Sequence, residues 1–82
     1  MARQVKIPSK RSPLAVKLGR VIRATRDDLG WSQERPAELA DLSKNYVGNL
    51  ERGEYEVSVA TLNRVAGALR QKASDILKSA GY

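Results

Sequence analysis

Residues 32 to 53 read SQERPAELADLSKNYVGNLERG, and this stretch decides the fold. It has the form of two short helices joined by a tight turn. Ser32 is placed to cap the first helix, its hydroxyl accepting from the orphan amides of the first turn. That helix is expected from Gln33 to about Ala40, with Ala37, Leu39 and Ala40 as its apolar side. Asp41, Leu42 and Ser43 make the turn. Ser43 caps a second helix, which ends at Gly53, a residue type suited to the left-handed position beyond a helix C-terminus. Val47 and Leu50 lie three apart on the second helix and face inward.

The opposite stripe of the second helix is Lys44, Asn45, Gly48, Asn49 and Arg52. At helical spacing these positions project from one side, and none carries a large apolar side chain. The stripe admits two readings. As a recognition surface, Asn bonds both edge groups of adenine, Lys donates to guanine, and Gly48 lets the backbone come close to a partner. As a solvated face, it is the ordinary outer side of a surface helix.

Working outward, Ser12 and Pro13 form a cap followed by proline at the first helical position. The helix they begin runs to about Leu29, with Leu14, Leu18, Val21, Ile22, Thr25 and Leu29 on one face. Gly30 ends it, and Trp31 is placed to fold back on the last turn as in a Schellman motif, so it is expected as a core anchor at a hinge rather than as a binding aromatic. After the loop from Arg52 to Val57, Ser58 caps a fourth helix whose inward face is Val59, Leu62, Val65, Ala66 and Leu69. Gly67 within it costs about 1 kcal/mol relative to Ala and is expected to permit a close helix contact. Arg70 to Ala73 connects to a fifth helix, capped by Ser74 and running from Asp75 to about Ala80. Its apolar residues, Ile76 and Leu77, either close the core or form a dimer contact; the expectation is one of each. The fold class is all-α with five helices, over residues 12–82.

Residues 1–11 mix Arg, Lys, Gln, Ser and Pro without sustained periodicity, so no face is available to offset the entropy of ordering. A flexible basic arm is expected, following DNA phosphates through Lys10 and Arg11 or serving only as a solubilising tail. The 82-residue chain holds 15 Lys and Arg against 9 Asp and Glu, a net charge of +6. Arg3, Lys6, Lys10 and Arg11 occur in an arm free of acids, so most of the excess charge lies there. A polyanionic partner suits this balance.

The chain has no cysteine and no histidine. Disulfides, thiolate metal sites and His-dependent nucleophile pairs are therefore excluded, and no metal or cofactor is expected. No glycine-rich phosphate loop or paired carboxylate suggests an enzyme. No apolar run approaches a membrane span, and the basic start lacks a signal-peptide core, so a cytoplasmic protein is expected.

Beyond these readings, S-Q-E at Ser32 to Glu34, Ala37, L-S at Leu42 and Ser43, Y-V at Tyr46 and Val47, and N-L-E-R-G at Asn49 to Gly53 resemble the helix-turn-helix of the lambda-repressor and Cro-like (XRE-type) family. The likeness extends to Leu18, Gly19, Ile22, Arg23 and Arg26 in the first helix. It continues through Ser58, Thr61, Leu62, Val65, Ala66 and Leu69, so it covers roughly residues 13 to 77 in order and spacing. The resemblance implies that Lys44, Asn45 and Asn49 meet base edges, with Gln33 bracing the recognition helix and touching a phosphate. It places Ser43, Arg52 and Tyr55 near the DNA backbone, and it makes Arg26 and Glu51 an internal ion pair. Two departures stand out. Pro36 replaces a usual Leu and so removes a long core side chain and one intrahelical bond; Asp41 replaces a usual Gly and needs positive φ if the turn keeps its shape.

These readings give a sequence-specific DNA-binding regulator, a repressor or controller that binds an inverted repeat as a homodimer through helix 44–52. The competing reading is a protein-interaction adaptor or antitoxin-like module with weak non-specific DNA affinity. Pro36, Asp41 and the loop acids Glu54 and Glu56 are what support it.

Overall fold

A computed structural model describes residues 12–82, so the basic arm, including Lys10 and Arg11, lies outside the described residues. The elements are α1 (Pro13–Asp28), α2 (Glu34–Ala40), α3 (Lys44–Glu51), α4 (Val59–Ala68) and α5 (Ala73–Ser79). There are no strands among the described residues, and the all-α expectation holds.

Each helix begins and ends for local reasons. Ser12, Ser43 and Ser58 cap α1, α3 and α4, their hydroxyls accepting from the backbone N–H three residues on at 3.0 to 3.1 Å. At every C-terminus the chain turns through a left-handed residue: Gly30, Asp41, Gly53, Arg70 and Gly81. Each is flanked by the paired 6→1 and 5→2 hydrogen bonds of a Schellman motif, as where Trp31 N–H donates to the Arg26 carbonyl and Gly30 N–H to that of Asp27. Asp41 takes φ 57° and ψ 49°, so the turn between α2 and α3 keeps the shape that glycine would favour.

The core is a cluster of Leu18, Ile22, Leu50, Leu62, Val65, Ala66, Leu69 and Ile76. It sits where α1 packs on α3 and α5, and α4 packs on α2 and α5. Two cations flank the half-buried Trp31, the Arg35 and Arg70 guanidinium carbons lying 5.5 and 5.6 Å from its ring centroid. That ring thus ties the α1–α2 hinge to the end of α4.

Several expectations are corrected. Ser32 does not cap α2: the helix begins at Glu34 after Gln33, while the Ser32 carbonyl accepts from Arg35 N–H in the preceding turn. Pro36 is consequently the third helical residue, where no intrahelical bond is lost, and its ring is fully buried in place of a longer side chain. Leu39 is 53% exposed and Val59 74% exposed, so neither belongs to the core, and Leu14 is only partly covered. Helix α5 starts after Lys72, because Asp75 Oδ2 accepts from Lys72 N–H at 3.1 Å, and Ser74 lies inside it. Of the two apolar residues of α5, Ile76, 1% exposed, is the one that closes the monomer core, and Leu77 is half-buried. Gly67 meets nothing within 4 Å. The close helix contact is made by Gly19, where a Cβ would lie 2.4 Å from the Leu50 carbonyl oxygen.

Candidate nucleic-acid interface

Helix α3 buries Val47 and Leu50 and turns Lys44, Asn45 and Arg52 outward, with Asn49 half-covered between them. Its position is fixed at the end of the helix by Glu51. Arg26 Nε donates to Glu51 Oε2 at 2.6 Å and Nη2 donates to Oε1 at 3.0 Å, a buried two-point pair joining α1 to α3. Arg26 Nη1 also donates to the Trp31 carbonyl at 2.7 Å, so the same guanidinium anchors the hinge before α2. Hydrogen bonding to Glu51, which outweighs desolvation, raises the Arg26 pKa above its usual value.

Gln33 completes the brace. Its Nε2 donates to Glu51 Oε1 at 3.0 Å, so α2 and α3 are linked through the carboxylate that α1 holds. Gly48 is buried beside this amide, and a Cβ on it would approach Gln33 Oε1 to 3.3 Å. Within the chain, the side chains that come close to Gly48 are those of Arg52, whose Nη1 a Cβ would meet at 3.2 Å, and Gln33.

The exposed residues form a second network. Tyr55, in the loop after α3, stacks on Tyr46 with centroids 5.3 Å apart and planes inclined by 26°. Asn49 Nδ2 donates to the Tyr55 hydroxyl at 3.1 Å. Arg52 Nη2 donates to Asn49 Oδ1, and Arg52 Nε donates to Glu54 Oε2 at 3.3 Å. Arg52 and Tyr55, expected as phosphate contacts, thus bear first on Asn49. Tyr46 was not among the candidate site residues; its stack on Tyr55 pairs two residues separated by a turn, which no helical spacing reveals. Ser43 Oγ is occupied as the α3 cap, leaving its proton for an outside acceptor.

On α5, Leu77 lines a shallow cavity with Ser74, Asp75, Lys78 and Tyr82. Tyr82 is 60% exposed, and Lys17 Nζ lies 5.3 Å from its ring centroid. Among the described residues no group of acids is placed to hold a metal, and no helix is long and apolar enough to cross a membrane.

A family profile described as "Helix-turn-helix" matches residues 22–76, from within α1 to the middle of α5. The immunity repressor protein of Bacillus phage phi105 is 40% identical over 60 residues, covering 73% of this chain and 42% of the repressor. This chain therefore spans less than half the length of that relative. Among solved structures, the restriction-modification controller protein C.AhdI from Aeromonas hydrophila is 37% identical with a TM-score of 0.73, covering 76% of this chain and 94% of the controller. The clp gene regulator ClgR from Corynebacterium glutamicum is 35% identical with a TM-score of 0.80, covering 87% of this chain and 76% of the regulator.

Proposed function

Because the chain belongs to the helix-turn-helix family, we propose that it is a sequence-specific DNA-binding transcription regulator, a repressor or controller that occupies an inverted-repeat operator as a homodimer in the cytoplasm. The observation that carries this reading is the position of α3. Its apolar side is buried and its end is held by Arg26 and Gln33 through Glu51, while Lys44, Asn45 and Asn49 lie along the other side. A helix so braced, with a row of donors and acceptors facing out, is suited to the major groove.

In this reading Lys44, Asn45 and Asn49 read base edges. Gln33, Ser43, Arg52 and Tyr55 fix the register on the backbone, helped by Lys10 and Arg11 of the arm. Half-buried Leu77, beside Tyr82, meets a second copy of the chain. A two-fold dimer would set two α3 helices about 34 Å apart on one face of the duplex. Repression follows from occupancy alone. Its likenesses to a phage immunity repressor and to a restriction-modification controller support the regulatory part of this proposal.

The test is paired titration of Asn45→Ala and Asn49→Ala against the preferred duplex and against random DNA. Each is expected to cost about 1–3 kcal/mol on the preferred duplex and little on random DNA. Equal losses on both would remove base reading from α3.

A further inference from the structure

The base-reading face of α3 carries an internal device whose consequence goes beyond contact with DNA. We propose that Tyr55 and Arg52 are positioning residues that lock the Asn49 amide in one orientation, so that the group it presents outward is set for adenine. This inference rests on the proposal that α3 reads bases.

Chemistry fixes the orientation. A primary amide offers two N–H donors and two oxygen lone pairs, and its two ends are interchangeable in outline. A guanidinium can only donate, so the end of Asn49 that faces Arg52 Nη2 must be the oxygen. The nitrogen then faces Tyr55, whose hydroxyl oxygen accepts at 3.1 Å. Both partners are themselves held, Tyr55 by its stack on Tyr46 and Arg52 by Glu54.

With one N–H and one lone pair engaged, Asn49 retains one donor and one acceptor. That pair is what adenine requires in the major groove, where its N7 accepts and its N6 amino group donates. A guanine at the same place presents two acceptors and leaves the amide oxygen facing an acceptor. The Tyr55 hydroxyl, accepting from Asn49, still has its own proton to donate. A phosphate oxygen that takes this proton would link the register on the backbone to the orientation of the base reader.

The experiment uses the full chain and compares wild type, Tyr55→Phe, Arg52→Ala and Asn49→Ala by fluorescence anisotropy. The probes are the preferred duplex, every single-base variant of it, and a random duplex. Tyr55→Phe keeps the ring on Tyr46 and removes only the hydroxyl, and circular dichroism confirms that each variant is folded. Expected is a loss of discrimination of about three- to tenfold at one adenine per half-site in Tyr55→Phe, at the same position that Asn49→Ala affects. Arg52→Ala should lose discrimination there too, and adding Tyr55→Phe to Asn49→Ala should cause no further loss of discrimination, only a uniform loss of affinity. A uniform loss across all duplexes with discrimination unchanged would make Tyr55 a phosphate contact alone and overturn the proposal. A wild type with no preferred duplex would instead overturn base reading by α3 itself, and this proposal with it.

Discussion

Arg26 on α1 and Glu51 on α3 meet through two hydrogen bonds in a buried site, at 2.6 and 3.0 Å. Gln33, at the N-terminus of α2, joins the same carboxylate, so one acid sets the mutual position of three helices. We expect Glu51→Ala to leave the Arg26 charge buried and unpaired and to lower stability by about 3–5 kcal/mol in urea denaturation. Replacing Arg26 and Glu51 together by Met should recover most of that stability, because the desolvation of two ions is removed with them. A single variant as stable as wild type would contradict the role assigned to the pair.

The same pair predicts how stability responds to alkali. Glu51 raises the Arg26 pKa above its ordinary value, so this contribution is fully present below the unfolded pKa and is lost only as pH climbs through the folded one. That window opens only above the ordinary arginine pKa, well beyond neutral pH. Stability of Glu51→Ala relative to wild type should therefore be flat from pH 7 to about 10, as measured by denaturation at each pH.

Two glycines should respond in opposite directions. A Cβ at Gly19 would fall 2.4 Å from the Leu50 carbonyl oxygen and 2.6 Å from that of Glu51, both backbone atoms that cannot yield cheaply. Gly19→Ala is expected to cost about 1–3 kcal/mol or more by pushing α1 off α3. Gly67 is exposed inside α4 with nothing within 4 Å, so Gly67→Ala should stabilise by about 0.5–1 kcal/mol. Thermal melts of the two variants moving in the same direction would contradict the packing described.

Asp41 sits at φ 57° with a fully exposed side chain, its carboxylate 3.9 Å from Arg64. Arg64 also donates to the carbonyls of Ala40 and Asp41, at 2.6 and 2.9 Å, which holds the turn without the carboxylate. Asp41→Gly should therefore relieve left-handed backbone cost and raise stability by up to about 1 kcal/mol. DNA affinity should be unchanged, since the turn already has the glycine-like shape.

The arm gives a separate signature. Replacing Lys10 and Arg11 by Ala should weaken binding alike on preferred and random duplexes and reduce the steepness of the log affinity against log salt relation by about 2. No change in that slope would make the arm a solubilising tail.

Much of this architecture was legible because it is local. Ser12, Ser43 and Ser58 announce helix starts through bonds made three residues away, and Gly30 and Gly53 mark ends through a backbone preference. Leu18, Ile22, Leu62, Val65 and Leu69 are core by helical period alone. What escaped depends on where neighbouring helices stop. Leu14 and Val59 lie in the first turns of their helices, beyond the cover of the packed elements, although the period places them on the inward face. In α2 the buried stripe is Pro36, Ala37 and Ala40, and Leu39 points away, because the start of the helix at Glu34 puts the proline ring on the inward side without the loss of an intrahelical bond. The network of Tyr46, Asn49, Arg52 and Tyr55 crosses a helix end into a loop, where no periodicity applies.

In the proposed reading α3 reads bases as half of a two-fold pair. Its most direct test is selection of duplexes from a random pool by the purified full chain near physiological salt, with sequencing of the bound fraction. An enriched inverted repeat is expected, with half-site centres about one helical turn apart and adenine prominent in each half-site. A folded sample that retains DNA without enriching any sequence would contradict this reading and would leave the domain a binder of another kind.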